Sequence, residues 1–348
     1  MKIGICAYPL SKGKETGRGL ERVVSELCLY FDRQKIRYAF YDQGIIKSEI
    51  KAILQGFNFI QFLKKNQDDC YFAIYPVSAI FPILAKKRPV VTAVHDLIPF
   101  YVYGYANRLK YALKRWCIRF ACKRSDHLIV PFMSSKEGII KLFNVPEDKI
   151  SVIPYGVDHE TYFADKSTER SKNQVAFLGE ARRAKGMDTL IKAFKLVLDQ
   201  VPEAKLVLAS NGDELEKMKK LAAETLPDKS YSFAGFIPEN EMRKFYSSSE
   251  LFVFPSRFGF GLSTLEAMAC GTPAICSTTL DSKDFMKDQD LLVDPENIAE
   301  VATKIIKLLL DPEKYKEKSA EALKIAKKFS WENMARDYYN VCVETTKQ

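Results

Sequence analysis

The glycine-rich segment near residue 260 contains the residues best suited to bind a phosphate group. Gly259-Phe260-Gly261 follows an apolar, strand-like run and precedes an expected helix over residues 263–271. Glycine lets a backbone approach a ligand closely, and the free N–H groups and dipole of a helix start favour an anion. Glu266, one turn inside this helix, can accept hydrogen bonds from a sugar diol. The segment therefore predicts an anion site with a hydroxyl-binding carboxylate beside it.

The same segment allows a purely structural role for its polar residues. Ser263 and Glu266 have the S-x-x-E spacing of a capping box, in which two side chains stabilise the start of a helix. Capping does not require the glycine loop in front or the small apolar residues that follow Glu266. We favour ligand binding and keep the capping box as the alternative.

A basic segment at residues 182–185 is the second candidate for anion binding. Arg182, Arg183 and Lys185 precede an expected helix over residues 186–198. A helix start disfavours cations, but a bound phosphate would interact favourably with both the cations and the helix start. The alternative is a solvated basic loop, since runs of charge usually lie at the surface.

Two polar residues in the first half of the chain complete the candidates. His95 and Asp96 follow a predicted strand over residues 90–94, at the edge where open α/β sheets bind ligands. A structural role for a single histidine remains open. Asp288-Gln289-Asp290 has metal-binding spacing, but we expect this acid-rich stretch at the surface, and we predict no metal site.

The elements that must position these residues alternate between strands and helices. In the first half, strands are predicted at residues 2–8, 37–41, 71–75, 90–94, 127–130 and 150–153. After a polar segment at 164–172, further strands are predicted at 175–178, 205–209, 230–233, 251–254 and 273–277. Helices between the later strands are predicted at 186–198, 214–226, 239–247 and 298–310. Continuous apolar strands alternating with helices predict doubly wound α/β domains with parallel sheets.

Length and composition set the broad class of the protein. The 348 residues exceed the size of about 250 to 300 at which a single core stops growing, so two domains are expected. The eight cysteines form no C-x-x-C pair, which fits buried thiols in a reducing compartment. No apolar run reaches the length of about 18 residues needed to span a membrane. A net charge of +9 indicates an anionic partner without identifying it.

Taken together, the motifs resemble those of the retaining, nucleotide-sugar-dependent GT-B glycosyltransferases of family four. The matching segments are 17–22, His95-Asp96, 150–158, Lys185-Gly186, 233–238, 254–256 and 259–273. The resemblance implies two Rossmann-like, doubly wound domains facing across a cleft. Their expected bounds are 1–168 for acceptor binding and 169–328 for nucleotide-sugar binding, with a helix at 329–348 returning to the first domain.

The resemblance also implies roles for individual residues. Glu266 would bind the ribose hydroxyls, Phe236 and Ile237 would border the base, and Gly19 would approach the diphosphate from the first domain. The implied catalytic residues are His95, Asp96 and Lys185. The implied donor-binding residues are Gly19, Arg182, Arg183, Lys185, Phe236, Ile237, Gly259, Phe260, Gly261, Leu262, Ser263 and Glu266.

The implied reaction moves a hexose-type sugar from a nucleotide diphosphate-sugar to a glycan or lipid-linked acceptor. It proceeds with retention of configuration, without a metal or another cofactor, and we expect it in the synthesis of cell-envelope polysaccharide or glycoconjugates. No nucleic-acid partner is expected.

The sequence departs from the family pattern at three positions. Glu180 stands where an arginine is usual, Phe258 stands where a donor-binding glutamate is usual, and Arg18 interrupts a glycine pair. Two alternatives therefore stay open: a non-catalytic partner subunit, and an epimerase-type enzyme that acts on nucleotide sugars.

A basic segment in the first half suggests a membrane partner. Residues 105–124 carry apolar residues at 105, 109, 113, 116 and 120, seven cations and no acid. A basic amphipathic helix with Trp116 is typical of a membrane-surface element. The alternative is that its apolar side is part of the core. We expect a cytoplasmic protein that contacts the anionic inner face of the cell membrane.

Overall fold

A computed structural model describes residues 1–7, 20–42, 49–101, 108–165, 167–259, 261–279 and 285–348. The chain divides into two compact units, residues 1–155 with 331–348, and residues 156–330. The N-terminal segment of the first unit thus ends at residue 155, before the boundary at residue 168 that the sequence suggested. The reason lies in residues 156–168, because Val157 and Tyr162 are buried in the core of the second unit.

The first unit contains a six-stranded parallel sheet. Its strands are β1 Lys2–Ala7, β2 Arg37–Asp42, β3 Cys70–Ala73, β4 Val90–Ala93, β5 His127–Val130 and β6 Ile150–Val152. Their order across the sheet is β2-β1-β3-β4-β5-β6. The strand order reverses between β1 and β3, which is the topological switch point of this sheet.

Helices cover the first sheet. They are α1 Leu20–Arg33, α2 Glu49–Lys65, α3 Pro76–Leu84, α4 Ile98–Tyr101, α5 Arg108–Arg124, α6 Met133–Phe143 and the C-terminal α13 Trp331–Thr345. The predicted strand at 71–75 is too long, because Tyr75 precedes a proline that begins α3. Proline is tolerated at the first helical position but cannot extend a strand ladder. Helix α13 belongs to the first unit, where Tyr338 packs edge-to-face on Phe72.

The second unit also contains a six-stranded parallel sheet. Its strands are β7 Ser171–Leu178, β8 Lys205–Ala209, β9 Tyr231–Phe233, β10 Ser249–Phe254, β11 Ala274–Ser277 and β12 Leu292–Val293. The order β12-β11-β10-β7-β8-β9 places the switch point between β7 and β10. Its helices are α7 Met187–Leu198, α8 Leu215–Thr225, α9 Glu239–Ser247, α10 Leu262–Ala269, α11 Ile298–Leu310 and α12 Pro312–Ala326.

The sequence patterns located most of these elements and missed three features. Strand β7 begins at Ser171, inside the predicted linker, because its polar first residues pair with β10 at the edge of the core. Strand β12 has two residues and α12 is rich in charge, so neither shows a clear apolar period. In all three cases, the residues that were not predicted form only a short or weak apolar pattern in the sequence.

Candidate functional site

Two loops of the second unit meet at its switch point. Strands β7 and β10 are neighbours in the sheet, and the chain continues from them to opposite sides. The loop after β7 covers residues 179–186, and the loop after β10 covers residues 255–261. The outer end of two such strands is the place where doubly wound sheets bind ligands. Both basic and glycine-rich candidate segments therefore lie at one edge of the sheet.

Hydrogen bonds fix these two loops against each other. The Ser256 hydroxyl lies 3.0 Å from the Ala184 carbonyl oxygen, and the Arg257 N–H donates to the same oxygen over 2.8 Å. Gly186 has a φ of +73°, and a Cβ there would lie 1.9 Å from the Pro255 carbonyl oxygen. Only glycine allows this close approach.

Arg257 holds the loops together and is not a free cation. Its guanidinium donates to Asp188 over 3.1 Å and also to Glu296 and the Arg183 carbonyl oxygen. These bonds, those to Glu296 foremost, raise the pKa of Arg257 above its usual value. We assign Arg257 a structural role, because its donors are already engaged by protein acceptors.

The glycine loop leads directly into the start of α10. Gly259 has a φ of +101°, and Gly261, the residue before α10, has a φ of +71°. Among the residues that the structure describes, no side chain caps this helix, and Ser263 is its second residue. The capping-box alternative is therefore wrong: Ser263 lies too far inside the helix to act as its N-cap. Within the described ranges, no side chain accepts a hydrogen bond from the leading N–H groups of α10.

Glu266 is held by a tyrosine from another helix. The Tyr246 hydroxyl donates to Glu266 Oε2 over 2.7 Å. Tyr246 is completely buried on α9, and this burial, reinforced by the Glu266 charge, raises the pKa of Tyr246 well above its usual value. Tyr246 therefore acts as the donor in this hydrogen bond. Sequence patterns could not predict this pair, because Tyr246 and Glu266 are 20 residues apart.

Lys185 brings a positive charge to the glycine loop. Its Nζ lies 5.7 Å from the centroid of the Phe254 ring and 3.7 Å from the position that a Cβ on Gly259 would occupy. Burial lowers the pKa of Lys185, Glu180 opposes that change, and Arg182 adds to it. Among the residues that the structure describes, no carboxylate lies within 4.0 Å of this ammonium group. An anion beside the loop would supply the missing charge.

The two arginines of the basic segment are arranged differently from Lys185. Arg182 pairs with Glu180 over 2.8 Å, and the two side chains are 55% and 39% exposed. Arg183 is exposed, and its backbone N–H donates to Glu214 over 2.7 Å. The departure at Glu180 thus neutralises one cation of its own loop.

The structure describes two of the remaining predicted donor residues, Phe236 and Ile237. Phe236 follows β9 and is 59% exposed, while Ile237 packs partly against the core. Phe258, which stands where the family usually has a glutamate, is 39% exposed beside the glycine loop. Gly19 and Phe260 lie outside the described residues, so their predicted roles stay predictions.

His95 is tightly held within the first unit. Its Nε2 lies 2.7 Å from the Ile74 carbonyl oxygen, and its Nδ1 lies 2.6 Å from the Tyr155 hydroxyl. A carbonyl oxygen only accepts, so Nε2 carries the hydrogen and Nδ1 accepts from Tyr155. Burial lowers the pKa of His95 to about 4 despite this carbonyl and the nearby charge of Asp96. The imidazole is therefore neutral near pH 7, and Asp96 beside it is half-buried.

The D-x-D segment is occupied by lysines. Asp288 pairs with Lys318 over 2.6 Å, and Asp290 pairs with Lys307 over 3.0 Å and Lys314 over 2.5 Å. Hydrogen bonds from these lysines, Lys314 foremost, lower the pKa of Asp290 to about 2. The expectation of a solvated surface is wrong for Asp288, whose side chain is only 13% exposed. Within the described ranges, no group of three or more His, Cys, Asp and Glu could hold a metal ion.

Helix α5 exposes apolar and basic side chains together. Leu113 and Trp116 are 61% and 53% exposed, and the Trp116 ring stacks on Phe120 with centroids 5.2 Å apart. The alternative that this apolar side is core is wrong for Leu113 and Trp116. The exposed cations beside them are Arg115, Arg119 and Lys123. We call these six residues, 113, 115, 116, 119, 120 and 123, the α5 surface.

The predicted amphipathic segment is only partly described. Tyr105 and the side chain of Leu109 lie outside the described residues. The opposite side of α5 is core, because Cys117, Ile118 and Ala121 are buried. In the described part of the chain, no helix combines the length and apolar character needed to span a membrane.

Comparisons with known proteins agree with this architecture. A family model for glycosyl transferases group 1 matches residues 158–325, and a model for glycosyltransferase family 4 matches residues 17–161. Together the two matches extend over both units and include the loops at the switch point. The chain belongs to the glycosyl transferases group 1 family.

Individual relatives are only distantly similar to this chain in sequence. An uncharacterized glycosyltransferase of Methanocaldococcus jannaschii is 30% identical over 234 residues, which are 62% of this chain and 60% of that protein. The O-antigen chain mannosyltransferase B of Escherichia coli is 26% identical over 270 residues, 73% of this chain and 70% of that protein. The chain thus spans less than two thirds of the archaeal relative.

A solved structure shares the fold over nearly the whole chain. The crystal structure of Anabaena HepE in complex with UDP and glucose has a TM-score of 0.78 and 16% identity, covering 99% of this chain and 100% of that one. The predicted fold class, GT-B with two Rossmann-like domains, is confirmed by this likeness and by the two parallel sheets.

Proposed function

We propose that this group 1 family member transfers a hexose-type sugar from a nucleotide diphosphate-sugar to a glycan or lipid-linked acceptor. The observation that carries the proposal is the convergence at the second switch point of Lys185, the uncapped start of α10 and Glu266. These three features suit the diphosphate and the ribose of one ligand. The proposal includes retention of configuration and independence from metal ions and other cofactors.

The charges of the site support a role in stabilising a leaving group. Breaking the bond between sugar and diphosphate leaves negative charge on a nucleoside diphosphate. Lys185 and the leading N–H groups of α10, at residues 261–263, can stabilise that charge where it develops. Protein cations and the helix dipole would thereby stabilise the charge that a divalent metal ion stabilises in other transferases. Phe236 and Ile237 would border the base, as the family resemblance implies.

In the first domain, the proposal keeps His95, Asp96 and Gly19 as residues that act near the donor. His95 would act as a neutral group, because its pKa is lowered to about 4. Its present partners are Tyr155 and the Ile74 carbonyl oxygen, so an interaction with a sugar hydroxyl would replace or share one of these bonds.

The names of relatives and the α5 surface support the proposed acceptor class. The E. coli relative is named as an O-antigen chain mannosyltransferase, and the HepE structure contains UDP and glucose. On the basis of these two similarities, we propose that this chain acts in the synthesis of envelope polysaccharide or glycoconjugates. Because the α5 surface combines exposed Trp116 and Leu113 with cations, we also propose peripheral contact with an anionic membrane from the cytoplasmic side.

Release of a nucleoside diphosphate tests the proposal directly. The purified protein is incubated with a panel of nucleotide sugars, with and without membranes from a polysaccharide-producing bacterium, in the presence and absence of EDTA. We expect release that depends on the membranes and resists EDTA, with the anomeric configuration of the donor preserved in the product. Binding without release would instead indicate a non-catalytic partner subunit, and conversion of one nucleotide sugar into another would indicate an epimerase.

A further inference from the structure

Tyr246 contacts the carboxylate at the centre of the candidate donor site without lining the glycine loop itself. Its hydroxyl donates to Glu266 Oε2 over 2.7 Å, from α9 to α10. The tyrosine ring is completely buried, so the hydroxyl reaches Glu266 from within the core of the second unit. A hydrogen bond to a charged acceptor in such surroundings is stronger than a bond between neutral groups.

Tyr246 is itself fixed by several contacts. Its carbonyl oxygen accepts from the Thr272 hydroxyl over 2.8 Å. Its ring packs edge-to-face on Phe252, with centroids 5.5 Å apart, and on Tyr162, with centroids 6.0 Å apart. The hydroxyl position is therefore set by the core of the second unit, and it transmits that rigidity to Glu266.

We propose that Tyr246 is a positioning residue that holds the Glu266 carboxylate in the orientation needed to bind the ribose diol, an inference that rests on the proposed function. A carboxylate offers about four acceptor positions, and the bond from Tyr246 uses one of them. Fixing one oxygen limits rotation of the side chain, so less conformational entropy is lost when the ligand binds. A carboxylate held in this way can accept hydrogen bonds from both hydroxyls of a ribose at once.

The substitution Tyr246→Phe removes the hydroxyl and keeps the ring contacts. Affinities are measured by calorimetry for the four common ribonucleoside diphosphates, and for the tightest of these also with its 2′-deoxy analogue. We expect wild type to prefer the ribonucleotide. Tyr246→Phe should weaken ribonucleotide binding about fivefold to thirtyfold, while binding of the 2′-deoxy analogue changes much less. The preference for ribose should therefore shrink.

Tyr338→Phe provides the matched control. Tyr338 is a buried tyrosine of the first unit whose hydroxyl has no hydrogen-bond partner among the described residues. Its removal should leave both nucleotide affinities unchanged. Thermal unfolding without ligand shows whether each variant is folded.

The outcomes separate this inference from the proposed function. If wild type binds no nucleotide, or binds the ribonucleotide and its 2′-deoxy analogue equally, Glu266 does not bind the ribose. The positioning role of Tyr246 is then wrong as well. If wild type discriminates and Tyr246→Phe discriminates equally well, the positioning role alone is wrong. An equal loss for both nucleotides would indicate a general structural role and would also overturn the proposal.

Discussion

Glu180 lies 2.8 Å from Arg182, so the acid that stands in place of the usual family arginine neutralises a cation of its own loop. Its carboxylate also acts on Lys185, whose pKa it raises against the larger effect of burial. The charge available to a diphosphate at this loop therefore depends on the balance between Glu180 and its neighbours. This balance is open to direct measurement.

Replacing Glu180 with glutamine should strengthen diphosphate binding. The substitution removes a negative charge near Lys185 and releases Arg182 from its ion pair. Because both paired side chains are well exposed, we expect a gain of only about twofold to fivefold in affinity by calorimetry. Glu216→Gln, which removes an exposed ion pair with Lys219, is the control. A weaker affinity in Glu180→Gln would show instead that Glu180 orients Arg182 toward the ligand.

Removing the Lys185 charge should weaken binding of the diphosphate and leave binding of the nucleoside alone nearly unchanged. Lys185→Met keeps the length and much of the apolar contact with Phe254. We expect a loss of about 1.5 to 3 kcal/mol for a nucleoside diphosphate, the range for a hydrogen bond to a charged group. Lys195→Met, at an exposed position of α7, is the control. Equal losses for nucleoside and diphosphate would rule out a direct contact with phosphate.

The substitution Glu266→Gln tests the assignment of the ribose ligand. Glutamine can still accept the Tyr246 hydroxyl through its amide oxygen, but it loses the negative charge. We expect nucleotide binding to weaken by about 1 to 3 kcal/mol, with little change in thermal stability because Glu266 does not cap α10. Glu224→Gln, at an exposed position of α8, serves as the control. Unchanged nucleotide affinity in Glu266→Gln would contradict the assignment.

The sequence was informative where one segment determines its own structure. The glycines at 259 and 261 adopt positive φ, as the short loop required, and the buried run after Ser249 forms β10. Local patterns also located α7, α9 and α11 to within a residue. These features depend on backbone freedom and apolar period, which can be seen in a single stretch of chain.

Features that depend on distant partners could not be predicted in this way. The S-x-x-E pattern suggested a capping box, but the helix began one residue earlier and Glu266 instead bonded to Tyr246. Likewise, the carboxylates at 288 and 290 are paired with lysines from α11 and α12. Tertiary packing decided each of these interactions.

Acid should destabilise the first domain through His95. The pKa of His95 is lowered to about 4, below its usual value near 6.5, because burial disfavours the charged ring. The unfolded chain therefore binds the proton first as the pH falls, so the stabilising effect is complete above pH about 6.5 and is lost as pH falls toward about 4. Between pH 7 and pH 5 the free energy of unfolding should fall by about 2 kcal/mol from this group alone.

Tryptophan fluorescence during urea unfolding can measure this effect, because both tryptophans, Trp116 and Trp331, belong to the first unit. His127 also has a lowered pKa through burial, so the informative quantity is the difference between wild type and His95→Gln. We expect the variant to be less stable at pH 7 and to lose less stability on acidification. An identical pH dependence in both proteins would show that His95 does not titrate in this range.

The α5 surface should bind anionic vesicles, and its tryptophan can report the event. Trp331 is only 5% exposed, whereas Trp116 is 53% exposed, so a blue shift of emission on adding vesicles reports mainly on Trp116. We expect this shift with vesicles of phosphatidylglycerol and phosphatidylcholine, and its loss with phosphatidylcholine alone or at high salt. The reason is that the cations attract the anionic surface within about one Debye length, while the ring enters the headgroup region.

Two substitutions separate the apolar and the basic contributions to this binding. Trp116→Ala should weaken vesicle binding about tenfold in a sedimentation assay, because a large ring no longer leaves water. Arg119→Glu should weaken it by about 2 kcal/mol, since one attraction of about 1 kcal/mol is lost and a comparable repulsion is added. Leu310→Ala, at a 58% exposed position of α11 in the other unit, should bind vesicles like wild type. If Trp116→Ala and Arg119→Glu bind vesicles as tightly as wild type, the proposed membrane contact of the α5 surface is wrong.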